Sequence, residues 1–312
     1  MNNYYLAPLE GITTYIFRNA YHKFFCPMDK YFTPFLVPHS KKGFSAKEKR
    51  EILPENNRGL YLVPQIMSNH ADECLKTIEK LRFYGYKEIN LNMGCPSKTV
   101  VSKGRGAGFL AFPKELNFFL SEVFEGIGNT DMEISVKTRL GKEDAGEFPC
   151  ILEIYNQYPI KELIIHPRVQ KDFYNNEPDF GMFACAEENS KSSVCYNGDI
   201  FTAEKYESIR LRFPKVQAFM LGRGILENPV LLEQIQGKAV KVHTEKERIS
   251  HFLTQLLEDY MALGMGEKNV LFKMKEIWCY LGKSFPGQEK TLKSIRKAER
   301  LDRYRAAVEE LL

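Results

Sequence analysis

No run in this chain approaches the roughly 18 consecutive apolar residues of a membrane span, and the opening Asn2-Asn3-Tyr4-Tyr5-Leu6-Ala7-Pro8 lacks the basic-then-apolar order of a secretion signal. These absences lead to the expectation of a cytoplasmic protein that does not contact membrane. Cysteine is sparse and unpatterned. Cys26, Cys74, Cys95, Cys150, Cys185, Cys195 and Cys279 are odd in number and never spaced Cys-x-x-Cys, which argues against a disulfide framework and a structural zinc site, so no metal is expected. Low-complexity tracts, internal repeats and a Gly-x-Gly-x-x-Gly dinucleotide fingerprint are all missing. Neither sign of charge dominates, with 44 Lys+Arg against 40 Asp+Glu and a net charge of +4. The excess is local, because residues 238–312 carry 15 basic against 11 acidic side chains. That segment is a candidate contact for a polyanion.

What is present is an ordinary globular composition, 44% hydrophobic and 27% charged over 312 residues, with room for a large core. Up to about residue 237, short apolar or β-branched runs alternate with stretches of helical periodicity, the order of parallel strands joined by crossover helices. Strands are expected near 4–8, 31–36, 60–66, 88–92, 133–138, 162–166, 193–197 and 217–221, with helices such as Asp72 to Tyr84 and Thr202 to Phe213 between them. Eight such units match a (β/α)8 TIM barrel, residues 1–237. Beyond Gly237 the strand signal stops, and Glu245 to Leu263, Glu267 to Leu281 and Gln288 to Leu312 read as helices, forming a small C-terminal helical bundle domain over 238–312.

Barrel enzymes work at the carboxyl ends of their strands, and here those ends are polar. They read Pro8-Leu9-Glu10-Gly11, Gln65, Asn92-Met93-Gly94-Cys95, Lys137-Thr138-Arg139, His166-Pro167-Arg168, Asn197-Gly198-Asp199 and Gly222-Arg223-Gly224. Amides, cations, a thiol and glycines converging on one opening suit a phosphorylated planar cofactor. Gln65 and Asn92 could meet the pyrimidine edge of an isoalloxazine, and Lys137 could place positive charge by its nitrogen 1 and oxygen 2. Asn197-Gly198-Asp199 and Gly222-Arg223-Gly224 lie where barrels bind phosphate, and their glycines allow close backbone approach, with Arg223 adding charge.

These segments, together with Ala7-Pro8-Leu9-Glu10-Gly11-Ile12-Thr13, Asn90-Leu91-Asn92-Met93-Gly94-Cys95-Pro96-Ser97, Gly104-Arg105-Gly106-Ala107 and Val136-Lys137-Thr138-Arg139-Leu140-Gly141, resemble the tRNA-dihydrouridine synthase family. The resemblance covers roughly residues 4 to 230 in the family's order. It implies an FMN-dependent oxidoreductase in which NADPH reduces FMN, the reduced flavin passes a hydride to carbon 6 of a uridine in the tRNA D-loop, and Cys95 protonates carbon 5. A thiol suits that step because an ordinary cysteine, near pKa 8.5, is still protonated at neutral pH. Position by position it also implies FMN contacts at Pro8, Leu9, Glu10, Lys137 and His166, and puts Arg139 and Arg168 near the flavin phosphate or the substrate. Leu9 stands where the family commonly has Met, and His166-Pro167-Arg168 replaces the commoner His-Gly-Arg. Gln65-Ile66-Met67-Ser68 lacks a usual terminal glycine.

Bland readings accompany each residue. Cys95 alone is a small hydrophobe, Lys137 a solvated or salt-bridged strand residue, His166 a strand cap, and Gly222 and Gly224 parts of a tight turn. In the tail, Lys293, Arg296, Lys297, Arg300 and Arg303 recur at three- and four-residue spacing as one positive face that could follow tRNA phosphates, interrupted by Glu299 and Asp302. Tyr174 and Phe173 could stack on the target loop. The protein is expected to be monomeric. The alternatives are an FMN barrel oxidoreductase acting on a small pyrimidine, resembling dihydroorotate dehydrogenases, and a non-catalytic RNA-binding barrel.

Overall fold

The computed structural model describes residues 2–38, 43–238 and 242–312. All of its paired strands run parallel: β1 (Asn3–Leu6), β2 (Lys30–Phe32), β3 (Leu62–Val63), β4 (Gln65–Ile66), β5 (Glu88–Met93), β6 (Glu133–Gly141), β7 (Glu162–Val169), β8 (Ser193–Tyr196) and β9 (Ala218–Leu221). Their order is β3-β2-β1-β9-β8-β7-β6-β5-β4. The two ends of that order, β3 and β4, are halves of one run interrupted at Pro64. Proline has no N–H for a ladder, while its carbonyl still accepts from Asn90 N at 2.9 Å. The sheet therefore curls into a nearly closed barrel, and the eight expected strands are all present, the third in two pieces. Helices Ala71–Phe83, Pro113–Ile127, Phe148–Tyr155, Phe180–Asn189 and Ala203–Arg212 follow β4 to β8 in turn, close to the two boundaries expected from periodicity.

Buried on both faces, barrel strands read as apolar runs broken by inward polar residues. In β5 every residue is buried. Its register pairs Asn90 with Ser135 and Asn92 with Lys137, and β6 pairs Lys137 with Ile164 and Arg139 with His166. Neighbouring parallel residues share a face, so Asn92, Lys137 and Ile164 form one layer and Arg139 and His166 lie in the next.

The chain divides into two compact units. One holds the stretch up to Pro8, Asp29–Gly198 and Arg210–Met220; the other holds Leu9–Met28, Asp199–Ile209 and Leu221–Leu312. The second unit thus combines the C-terminal helices with segments that follow β1, β8 and β9. Its core includes Phe17 against Phe252, edge to face at 5.5 Å, and Phe25 against Phe252 at 5.3 Å. Arg248 grips Glu233 through both guanidinium nitrogens and donates to Phe24 O at 3.0 Å.

The tail contains Val242–Ala262 and Glu267–Leu281 much as expected. The single helix expected over Gln288 to Leu312 is instead two, Glu289–Lys297 and Leu301–Leu311. No Gly or Pro marks the break. Ala298 and Arg300 are extended (ψ 126° and 147°), and Glu267 accepts the N–H of Leu301 at 2.5 Å. The turn brings Tyr304 to Trp278, whose Nε1 donates to Tyr304 Oη at 2.9 Å, and buries Ala307 and Leu311. A straight helix would leave those apolar groups in water, so tertiary burial overrides local propensity.

Candidate active site

Within the first unit, the expected amides form a chain inside the barrel. Gln65 Nε2 donates to Asn90 Oδ1 at 2.7 Å, Asn92 Nδ2 donates to Gln65 Oε1 at 2.7 Å, and Asn90 Nδ2 donates to Ser135 Oγ at 3.0 Å. Gln65 and Asn92 are therefore already partnered, each amide NH2 keeping one hydrogen for another acceptor. The oxygen of Asn92 has a second task. It accepts from Gly94 N at 3.1 Å and Cys95 N at 2.9 Å, so this asparagine builds the loop that carries the thiol.

Cys95 is half-buried and its loop is held from three more sides. Ala107 N donates to Cys95 O at 3.1 Å, Gln170 Nε2 donates to Pro96 O at 2.9 Å, and Arg139 Nε donates to Gly94 O at 3.1 Å. Gly106, at φ +55°, leaves no room for a side chain: a Cβ there would sit 2.8 Å from Cys95 O and 3.0 Å from Cys95 Cβ. A backbone pinned this way fixes where the Cys95 side chain starts.

Lys137 is half-buried in the layer of Asn92, and its ammonium makes no hydrogen bond or ion pair among the described residues. Desolvation in the barrel interior, reinforced by the Arg139 guanidinium, pulls its ammonium down to about 8, while Cys195 and Cys95 oppose the shift. An inward cation with no protein counter-charge is set up to receive an anionic group.

Arg139 and Arg168 were expected to meet phosphate or substrate. The structure turns both to the protein. Arg139 is 2% exposed and donates, beyond Gly94, to Val169 O at 2.8 Å and Phe173 O at 2.6 Å, with Tyr174 beside its guanidinium at 5.3 Å. Burial lowers its pKa to about 10, which leaves it charged at neutral pH. Arg168, equally buried, donates to Asn176 O at 2.5 Å and lies 3.2 Å from His166 Nε2. These two arginines brace the loop after β7, where Phe173 adopts φ +50°, a strained conformation for an aromatic residue. That loop presents Tyr174, 47% exposed and edge-on to His166 at 5.9 Å. Asn197, buried, donates from Nδ2 to Met220 O at 2.8 Å and so ties β8 to β9.

In the second unit, the segment after β1 is a tight turn. Leu9 N donates to Thr13 Oγ1 at 2.7 Å, Ile12 and Thr13 return their N–H groups to Leu9 O at 3.1 Å, and buried Arg18 donates to Thr13 O at 3.0 Å. Glu10 is exposed. Asp199 (φ +40°) forms an ion pair with Arg223, whose guanidinium lies 5.4 Å from the Phe201 ring. Gly224 is required by packing, since a Cβ there would fall 2.1 Å from Ile200 O. Lys293, Arg296, Lys297, Arg300 and Arg303 are all exposed, but the break at 298–300 splits them between two helices, and Arg300 is paired with Asp302 at 3.1 Å.

Several contributors escape sequence reading: Thr13, Arg18, Asn90, Ser135 and Gln170. Only Asn90 carried a usable signal, since it precedes Asn92 by two residues on the same strand face.

Solved barrel enzymes share this fold by shape alone. Morphinone reductase superposes with a TM-score of 0.51 at 11% identity, covering 78% of this chain and 88% of that one. The old yellow enzyme from Trypanosoma cruzi gives 0.52 at 9%, covering 76% and 88%. The dihydrouridine synthase family model matches residues 5–310, so the chain belongs to the dihydrouridine synthase family. Among curated relatives, tRNA-dihydrouridine synthase B of Pasteurella multocida (strain Pm70) is 28% identical over 237 residues, 76% of this chain and 69% of that protein. A probable tRNA-dihydrouridine synthase of Staphylococcus aureus (strain COL) is 29% identical over 258 residues, 78% and 73%.

Proposed function

We propose that this chain is a flavin-dependent tRNA-dihydrouridine synthase, which saturates the C5–C6 bond of a D-loop uridine with NADPH as reductant. The observation that carries the reading is a half-buried, unpartnered ammonium at Lys137 in the strand layer of Asn92, the residue that builds the Cys95 loop. FMN fits these residues: Lys137 offers the cation that an anionic flavin ring calls for, and Gln65 and Asn92 each keep an amide hydrogen. Bound FMN would supply the hydride for C6.

The chain's own groups do the rest. Pro8, Leu9, Glu10, Gln65, Asn92, Lys137 and His166 hold and orient the ring, while Asn197, Gly198, Asp199, Gly222 and Arg223 serve the phosphate. Cys95 delivers a proton from Sγ to C5. The bracing of Arg139 and Arg168 favours an indirect part for both, through the loops that face the substrate. The target base leaves its stack to reach the thiol, because neither carbon is accessible within a folded tRNA. Residues 238–312 act as the tRNA-binding domain, with Lys293, Arg296 and Arg300 facing solvent as phosphate contacts. Among the described residues no helix is long and apolar enough to cross a membrane; a cytoplasmic monomer is part of the same proposal.

The test incubates the purified protein with unmodified tRNA, FMN and NADPH and maps the product by mass spectrometry. The reading expects one uridine to gain two hydrogens. Reduction of a free pyrimidine with tRNA untouched would replace it with a small-molecule oxidoreductase, and a protein that binds tRNA but takes up no FMN would make it a non-catalytic barrel.

A further inference from the structure

The helix Glu267–Leu281 and the turn after it hold, within the second unit, two segments that sequence analysis assigned to the cofactor. Lys273 Nζ donates to Gly11 O at 3.0 Å while it is paired with Glu276 Oε2 at 2.8 Å. Gly11 sits at φ +78°, where the chain reverses after Leu9 and Glu10. The turn is closed by its own bonds between Leu9, Ile12 and Thr13, and Lys273 adds a hold on Gly11 from outside it. Thr13 holds Leu9 from one side, and Lys273 holds the following carbonyl from the other. Ten residues after Lys273, the same stretch reaches the segment that follows β9: Lys283 Nζ meets Glu227 Oε1 at 2.6 Å and Ser284 Oγ donates to Glu227 O at 2.6 Å. Glu227 ends the short helix Arg223–Glu227, whose Gly224 is packed against Ile200.

We infer that Lys273, with Lys283 and Ser284 behind it, is a positioning residue for FMN: it fixes the Leu9–Gly11 turn from the C-terminal helices and so raises flavin affinity without touching the flavin. This rests on the proposed flavin function and deepens it. The partly exposed Lys273 side chain, 24%, donates a charge-assisted hydrogen bond, stronger than a neutral one. The basic C-terminal segment therefore has a second use beyond any contact with RNA, and removing it should disable the cofactor site as well as tRNA binding.

The experiment measures FMN binding to flavin-free protein by quenching of flavin fluorescence, together with the melting temperature of the flavin-free state. The variants are Lys273→Met, Lys273→Arg, Ser284→Ala and, as a control, Lys268→Met, an exposed lysine on the same helix. Lys273→Met should weaken FMN about tenfold, the size expected of one lost charge-assisted bond. Lys273→Arg should recover most of that loss, Ser284→Ala should lose less, and Lys268→Met should bind as wild type. Wild-type affinity in Lys273→Met would overturn the proposal while leaving the flavin reading intact. So would a loss that Lys273→Arg fails to recover and that tracks a lowered melting temperature. Wild-type protein that binds no FMN would instead defeat the flavin reading itself.

Discussion

The two ends of the barrel handle charge in opposite ways. At the amino ends of the strands, Lys30 lies 3.0 Å from Glu88 and 3.6 Å from Glu162, and Lys161 lies 2.8 Å from Glu88 and 2.5 Å from Glu133. Tyr61 and Tyr5 add hydroxyl donors to Glu88 and Glu162 at 3.2 and 3.0 Å. Burial alone would push the Glu88 carboxyl up, but the two lysines outweigh it and hold the group below its ordinary value. One oxygen of that cluster, Glu162 Oε2, is buried without a hydrogen bond, 3.6 Å from Lys30 Nζ, and burial raises the Glu162 carboxyl above its ordinary value. Toward the carboxyl ends, the Lys137 ammonium has no hydrogen bond or ion pair among the described residues, two amides keep spare hydrogens, and the thiol loop is pinned through its backbone. Dense ion pairing sets the amino ends apart from the carboxyl ends, where the proposed function has the Lys137 ammonium meet the cofactor.

Replacing one residue from each end should break this contrast in different currencies. Cys95→Ala should lower dihydrouridine formation by about 10²- to 10⁴-fold, the usual weight of a positioned acid, and leave FMN binding and its reduction by NADPH intact; product mapping and flavin absorbance read the two apart. Glu88→Gln should leave catalysis per folded molecule unchanged and cost about 3 kcal/mol in chemical denaturation, because it strips a buried carboxylate from two lysines. Its folded pKa is depressed, so the stability it contributes is present above the ordinary carboxyl value and lost as pH falls through the lower folded value. The wild type should therefore lose stability more steeply in acid than Glu88→Gln.

Gly106→Ala is a milder probe of the binding end. Its Cβ would displace the Cys95 carbonyl and the residue would be strained at φ +55°, a cost of about 1–3 kcal/mol. Turnover should fall while flavin affinity is kept. The smallest effect is on pH dependence. With Lys137 pulled down to about 8, FMN affinity for the flavin-free protein should weaken as pH rises through that region, and Lys137→Arg should move the break upward.

How much of this was legible beforehand follows from what each feature depends on. The strands were readable because a parallel barrel needs runs apolar on both faces, and the polar residues ending those runs stood out against them. Gln65, Asn92, Cys95 and Lys137 are candidates picked out that way. The backbone bonds of Arg139 and Arg168 had no local signal, since whether a guanidinium meets backbone carbonyls depends on loops distant in sequence, 30 and 34 residues on in the bonds of Arg139 to Val169 and Phe173. Gln170, which reaches Pro96 across 74 residues, had no local signature at all. The break at 298–300 was invisible for a related reason: it is set by Trp278 and Glu267, not by its own residues.

The most direct test of the contrast between the two ends is an FMN titration of Lys137→Met beside Glu88→Gln, both checked for folding by circular dichroism. Loss of flavin binding in Lys137→Met with wild-type affinity in Glu88→Gln is the expected result. Undiminished binding in Lys137→Met, or a loss confined to Glu88→Gln, would contradict the assignment of the unpaired end to the cofactor.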